Sequence, residues 1–183
     1  KTAYEIPKRD WSSDVCSSDL STSWLLSFLL IAATAGFAKW NWPPARIFMG
    51  DVGSGFLGLT LAALSLQAGR HDARLFWAWI ILAGVFIVDA SLTLVRRAAR
   101  GERFYEAHRT HAYQHAAARH GHKRVTMGVA VLTLGWLLPV AAAAATGLVP
   151  VVIAVVIAYA PLVAIAQRYS AGGPEPLTPT ARV

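Results

Sequence analysis

From residue 24 onward the chain alternates long apolar runs with short polar, glycine- or proline-bearing breaks. Five runs stand out, at 24–37, 52–68, 75–95, 125–146 and 148–166. A helix needs about 20 apolar residues to cross a bilayer. Most of the runs approach that length, and the first is short for it. In lipid a helix satisfies its own backbone groups without an open edge. The pattern therefore predicts an all-α, polytopic integral membrane protein with about five transmembrane helices. Gly147 and Pro150 separate the last two runs.

Composition agrees. Apolar residues make up 55% of the 183 and charged residues 15%, against about 25% charged in soluble domains. Mean hydropathy is +0.44. The formal net charge of +7 would raise nucleic acid as a partner in a soluble protein, but no nucleic-acid-binding motif is present. The positive charge instead collects between apolar runs. Arg96, Arg97, Arg100, Arg103, Arg109, Arg119, Lys123 and Arg124 all fall in 96–124, and such an excess marks the cytoplasmic side. Counting outward, 39–50 is cytoplasmic, 69–74 and the Gly147 turn are external, and the C-terminus returns to the cytoplasm. Residues 21–168 form the membrane domain. The Pro/Gly-rich segment 169–183 reads as a disordered cytoplasmic tail.

Residues 1–20, KTAYEIPKRDWSSDVCSSDL, fit nothing downstream. They lack the apolar core and cleavage site of a signal peptide. They back-translate into strings that look like a short-read sequencing adapter, so an artefactual tail is expected here. The source locus tests this, because genomic DNA encoding these residues would refute it. A disordered polar tail is the other reading. The single Cys16 excludes an internal disulfide framework.

Two stretches carry candidate chemistry. In PPARIFMGDVGSGFLG, residues 43–58, Asp51 stands between Gly50 and Gly53, with Ser54 following. The glycines permit positive φ and close backbone approach. An acid at this place can cap a helix N-terminus. It can equally bind a metal, since one hard oxygen donor beside a glycine-rich turn suits Mg²⁺ that is held partly by substrate phosphates. Spacing leaves both open.

The second stretch, 96–124, holds five of the six histidines. His108, His111 and His115 fall at i, i+3, i+7, one face of a helix, with Arg109 beside them. A solvated basic loop, a zinc site and an anion site are all compatible with this composition. The absence of a companion Cys and the surrounding Arg residues count against zinc. Arg and His donors suit a pyrophosphate. Asp89 is an acid within an apolar run, about two turns before Arg96. A group so placed is usually paired or functional, and it reads as an ion pair or a hydrogen-bonded acid that fixes helix packing.

PARIFMGDVGSGFLG resembles the signature of the polyprenyl-phosphate N-acetylhexosamine-1-phosphate transferases, over about residues 24 to 168, and the resemblance implies that residues 21–168 are the C-terminal half of the family's membrane domain. The string EAHRTHAYQHAAARHGH is similar to the O-antigen-initiating branch. The resemblance implies transfer of a sugar 1-phosphate from a UDP-N-acetylhexosamine to undecaprenyl phosphate, with release of UMP, in the bacterial inner membrane. It implies Mg²⁺ as cofactor and Asp51 as its ligand. His111, Arg109 and His108 would act in catalysis, and Gly50, Gly53, Ser54 and His115 would contact substrate. The family's His-x-His-His run reads His111-Ala112-Tyr113-Gln114 here, which keeps only the first histidine. The family also uses an Asp-Asp pair on an earlier loop, which this sequence lacks. The 183-residue chain alone is therefore expected to be inactive, and UMP release by it would refute that expectation. A non-enzymatic membrane protein, such as a transporter half or a scaffold, is the alternative. The sugar, the pathway and the oligomeric state are not legible.

Overall fold

The computed structural model describes residues 11–42, 44–102 and 110–173, with side chains from residue 24 on. Among the described residues every regular element is a helix. The chain divides into two compact units, residues 1–53 and 54–183.

In the first unit, α1 (Trp11–Asn41) contains the 24–37 run. Polar residues fill its first turns, so its apolar part is shorter than a span. Asn41 Nδ2 donates to the Ile47 carbonyl at 2.7 Å, and the Arg46 amide donates to the Trp40 carbonyl at 2.9 Å. The Arg46 guanidinium sits 5.9 Å from the Trp40 ring centre. These contacts fold the chain after α1 back along the helix end. Gly50 then takes φ +68°, a left-handed conformation that glycine adopts without steric penalty, and opens α2 (Gly50–His71).

The second unit holds the rest of α2 and the remaining helices. They are α3 (Ala73–Leu82), α4 (Gly84–Ala99), α5 (Ala112–His120), α6 (His122–Leu132), α7 (Leu138–Ala145) and α8 (Val151–Arg168). A π-helical turn, Thr133–Leu137, joins α6 to α7. Its position has a sequence cause. Pro139 has no N–H and its ring crowds the carbonyl four residues back, and the turn just before it widens so that the Leu138 amide bonds the Thr133 carbonyl. The three pieces run on as one rod, His122–Ala145.

Three helices among the described residues are long and apolar enough to cross a membrane: Gly50–His71, His122–Ala145 and Val151–Arg168. The α3–α4 pair makes a fourth if it counts as one span. The protein is thus an all-α, multi-pass membrane protein, with three or four candidate spans among the described residues. The 75–95 run, expected as one straight helix, is bent by 68° between α3 and α4. The break is held from α8. Tyr159 Oη donates to the Ile80 carbonyl at 2.7 Å, beside a helix end where carbonyls lack intrahelical donors.

The core of this unit is built from small residues. Ala141 and Ala144 of α7 and Ala154, Ala158 and Ala166 of α8 are buried around Ile81 and Leu137. Small side chains let helices approach closely, which drives association where lipid tails are as apolar as the helices. Val131, Leu134, Val152 and Val156 point outward and are exposed, as lipid-facing positions are.

The segment after α8 packs rather than hangs free over its described part. Ala171 is fully buried. Its carbonyl accepts from Arg96 Nη1 at 2.8 Å, and the Gly172 carbonyl accepts from Arg100. The Gly172 amide donates to the Thr110 carbonyl at 2.6 Å. Gly172 has φ +70°, and a Cβ there would meet the Thr93 carbonyl oxygen at 3.1 Å, so only glycine fits. This strap ties the end of α8 to α4 and to the chain entering α5.

Candidate functional site

The residues singled out in the sequence fall in both units. Gly50, Asp51 and Gly53 belong to the first, and Ser54, His111 and His115 to the second. His108 and Arg109 lie outside the described residues.

Asp51 occupies the first turn of α2, directly after the left-handed Gly50, and is exposed. An acid there complements the positive helix end. A Cβ on Gly53 would meet Met49 Cγ at 2.6 Å, so the Met49 side chain packs on the helix start and would have to shift to admit any side chain there. Ser54 follows, exposed, on the next position of the turn. No group of three or more His, Cys, Asp or Glu that could hold a metal occurs among the described residues. One exposed carboxyl is nevertheless the donor set expected of Mg²⁺ that takes its other ligands from water and substrate phosphates.

His111 is not on a helical face with His115, as the i, i+3, i+7 spacing suggests. Its backbone is extended, with φ −71° and ψ 149°, and it is the N-cap of α5. The helix starts only at Ala112, because an acid from another helix terminates it there. Asp89, buried on α4, accepts the Ala112 amide at 2.8 Å and the Tyr113 amide at 3.2 Å. Thr93 Oγ1 adds a third donor at 3.3 Å. His111 Nδ1 lies 3.6 Å from Asp89 Oδ1. Asp89 is thus a hydrogen-bonded acid that fixes packing, one of the two roles its sequence position suggests. Its partners are two backbone amides, the Thr93 hydroxyl and the His111 imidazole, and not Arg96, whose guanidinium goes to Ala171.

Tyr113 and Gln114, where the resemblance leads one to expect histidines, both support His111. The Tyr113 ring stacks on the imidazole, with centres 5.8 Å apart and planes 25° from parallel. Gln114 Oε1 accepts the His111 amide at 3.1 Å, the return half of a capping box. Asp89 takes the first two amides of α5, so the start of this helix does not present them to an anion.

His115 differs from the expectation of a substrate-contacting residue. It is buried, and its Nε2 has no hydrogen-bond partner among the described residues. Burial holds its pKa below the ordinary 6.5, Arg119 pushes the same way, and Asp89 opposes. A histidine with a lowered folded pKa is neutral in the fold and protonates more readily when its surroundings open. Stability from neutral His115 is therefore fully present above about pH 6.5 and is lost as pH falls through the folded value. Amide protection across α5 is expected to drop between about pH 7.5 and pH 5, and His115→Leu to flatten that dependence. An equal drop in the variant would show that the sensitivity lies elsewhere.

Several of the loop's cations are structural. Arg96 and Arg100 hold the C-terminal strap, and Glu102 sits 3.3 Å from Arg97 and 2.6 Å from Arg100. At the far end of α5, His120 packs edge-on against Tyr169, with centres 5.9 Å apart.

Comparison with known proteins adds the following. Residues 15–69 match the family model described as glycosyl transferase family 4. A Bacillus subtilis protein described as a probable undecaprenyl-phosphate N-acetylglucosaminyl 1-phosphate transferase is 45% identical over 74 residues, covering 39% of this chain and 21% of that protein. A phospho-N-acetylmuramoyl-pentapeptide-transferase of Prochlorococcus marinus is 33% identical over 78 residues, or 43% of this chain and 20% of the relative. One of the same description from Saccharopolyspora erythraea is 44% identical over 66 residues, or 36% and 17%. The chain thus spans about a fifth of the length of the curated relatives it matches. No solved structure matches.

Proposed function

We propose that this chain, which belongs to glycosyl transferase family 4, is part of an enzyme that transfers an N-acetylhexosamine 1-phosphate from a UDP-sugar to undecaprenyl phosphate. The observation that carries the reading is Asp51 in the first turn of α2 behind Gly50, within the segment that matches the family. The basic loop argues for a cytoplasmic site in a bacterial inner membrane. O-antigen or another envelope polysaccharide is the proposed destination.

In the proposed reaction an oxygen of the lipid phosphate attacks the sugar-bearing phosphorus of the UDP-sugar. The bond to UMP breaks, and UMP leaves with the electron pair. Such chemistry depends chiefly on positioning and charge neutralisation. Asp51 is the chain's proposed ligand for Mg²⁺, which when bound would neutralise pyrophosphate charge. Gly50, Gly53 and Ser54 shape the backbone beside it. His111 is proposed to donate to a phosphate oxygen through Nε2, the ring nitrogen opposite the one turned to Asp89. Arg109 and His108 are proposed to add charge nearby.

Membranes carrying the product of the full source gene test this reading. With undecaprenyl phosphate, Mg²⁺ and UDP-N-acetylglucosamine or another UDP-N-acetylhexosamine, they are expected to release UMP and form a lipid-linked sugar. No release with any such donor, from a correctly inserted protein, would favour the scaffold or transporter alternative.

A further inference from the structure

A cavity of about 630 Å³ lies among α4, α5, α6 and α8, within the second unit. Its volume falls in the range of ligand pockets, about 300–1,000 Å³. Val88, Ala116, Gly128 and Leu162 line its interior, and the exposed Val131 and Ile165 show that it opens on the outer surface of the helices. Three basic side chains also line it: His120, Arg124 and Arg168. Arg124 is the third residue of the rod that starts at His122, and Arg168 is the last residue of α8. Both spans therefore place their arginine at the same membrane surface, with the apolar interior extending toward the bilayer core.

We infer that this cavity seats one anionic phospholipid of the bilayer, with its phosphate against Arg124, Arg168 and His120 and an acyl chain in the apolar interior. Basic pockets between transmembrane helices hold anionic head groups in this way. The acid that also lines the cavity, Asp89, is engaged by the α5 amides, away from the cationic end. Tyr113, which stacks on His111, lines the opposite end of the cavity, so only the cationic end lies away from the proposed reaction centre. His111 and His120 stand at opposite ends of α5, nine residues apart, which at 1.5 Å per residue is roughly 13 Å. A phosphate held at the cationic end is too far from His111 to be the reacting one. The inference thus needs no transferase activity and stands or falls separately from it.

The test is lipid retention by the whole chain, reconstituted with equimolar phosphatidylglycerol and phosphatidylcholine and then analysed by native mass spectrometry. Retained lipid is expected to be mainly phosphatidylglycerol. The double variant Arg124→Gln/Arg168→Gln should lose that preference by about 30-fold, at about fivefold per arginine near an anionic surface. Arg124→Lys/Arg168→Lys should keep most of it, and Arg70→Gln, outside the cavity lining, should not change it. Gly128→Leu should expel both lipids, because a Cβ on Gly128 meets nothing within 4 Å and the side chain can grow into the cavity. Helical content by circular dichroism identifies any variant that fails to fold, and the lysine and leucine variants then decide the matter. Equal retention of the two lipids by the unaltered chain would overturn the inference. So would an unchanged preference in the folded glutamine variant, or displacement of phosphatidylglycerol by equimolar undecaprenyl phosphate, which would make the cavity an acceptor-lipid site.

Discussion

Asp51→Asn is expected to lower transfer by the full gene product at least about 100-fold while leaving the protein inserted and helical. The size follows from removing a preorganised charge from a site where phosphate charge must be neutralised. The choice of asparagine separates the two roles that the sequence leaves open for this acid. At the second position of α2 the Asp51 charge contributes about 0.3–1 kcal/mol to the helix end, so a helix-end role alone predicts near-normal activity in folded Asp51→Asn and Asp51→Ala proteins. A ligand role predicts loss in both, with a raised Mg²⁺ requirement wherever residual activity can be measured. His111→Ala should lose transfer to a similar degree without a change in Mg²⁺ requirement, since the imidazole is proposed to contact phosphate and not metal. UMP release at several Mg²⁺ concentrations, with insertion checked by membrane fractionation, reads all three variants. Near-wild-type transfer by Asp51→Asn would leave this residue with a helix-end role alone.

The spans and their ends were legible because lipid imposes a coarse rule. About 20 apolar residues make a helix, and His122–Ala145 and Val151–Arg168 sit where apolar runs predict them. The bend between α3 and α4 was not legible. Residues 75–95 read as continuous apolar chain, and the hydroxyl that bonds Ile80 beside the break comes from Tyr159, 79 residues away. The candidate site divides in the same way. Asp51 and His111 stand out as an acid between glycines and a histidine in a basic loop. The support beneath His111 does not, because Asp89 bonds the backbone amides of Ala112 and Tyr113, and every residue but proline carries such an amide. Charge alone pointed Asp89 toward Arg96. The structure gives Arg96 to a backbone carbonyl instead. Tyr113 and Gln114 read as departures from the family run, yet one stacks on His111 and the other accepts its amide.

Asp89→Ala is accordingly expected to be the most destructive change outside the proposed reaction centre. It removes one acceptor from two amides and a hydroxyl at once. A buried donor left without a partner costs about 1–3 kcal/mol, so the α5 start should lose roughly 2–5 kcal/mol of local stability. At 1.4 kcal/mol per factor of ten, hydrogen exchange at Ala112 and Tyr113 should quicken by about 30-fold or more. The rod and α8 do not lean on this carboxyl and should keep their protection. Asp89→Asn should fall between, because one amide oxygen can still accept from Ala112, whereas the amide nitrogen turns a donor toward the Tyr113 N–H. His111 would lose both its Nδ1 neighbour and the fixed start of α5. Transfer should therefore fall in Asp89→Ala even though Asp89 touches no reacting atom, with the loss appearing in kcat more than in KM. Unchanged protection of the Ala112 and Tyr113 amides in a folded Asp89→Ala protein would mean that α5 begins where it does for reasons of its own, and that His111 does not depend on Asp89 for its position.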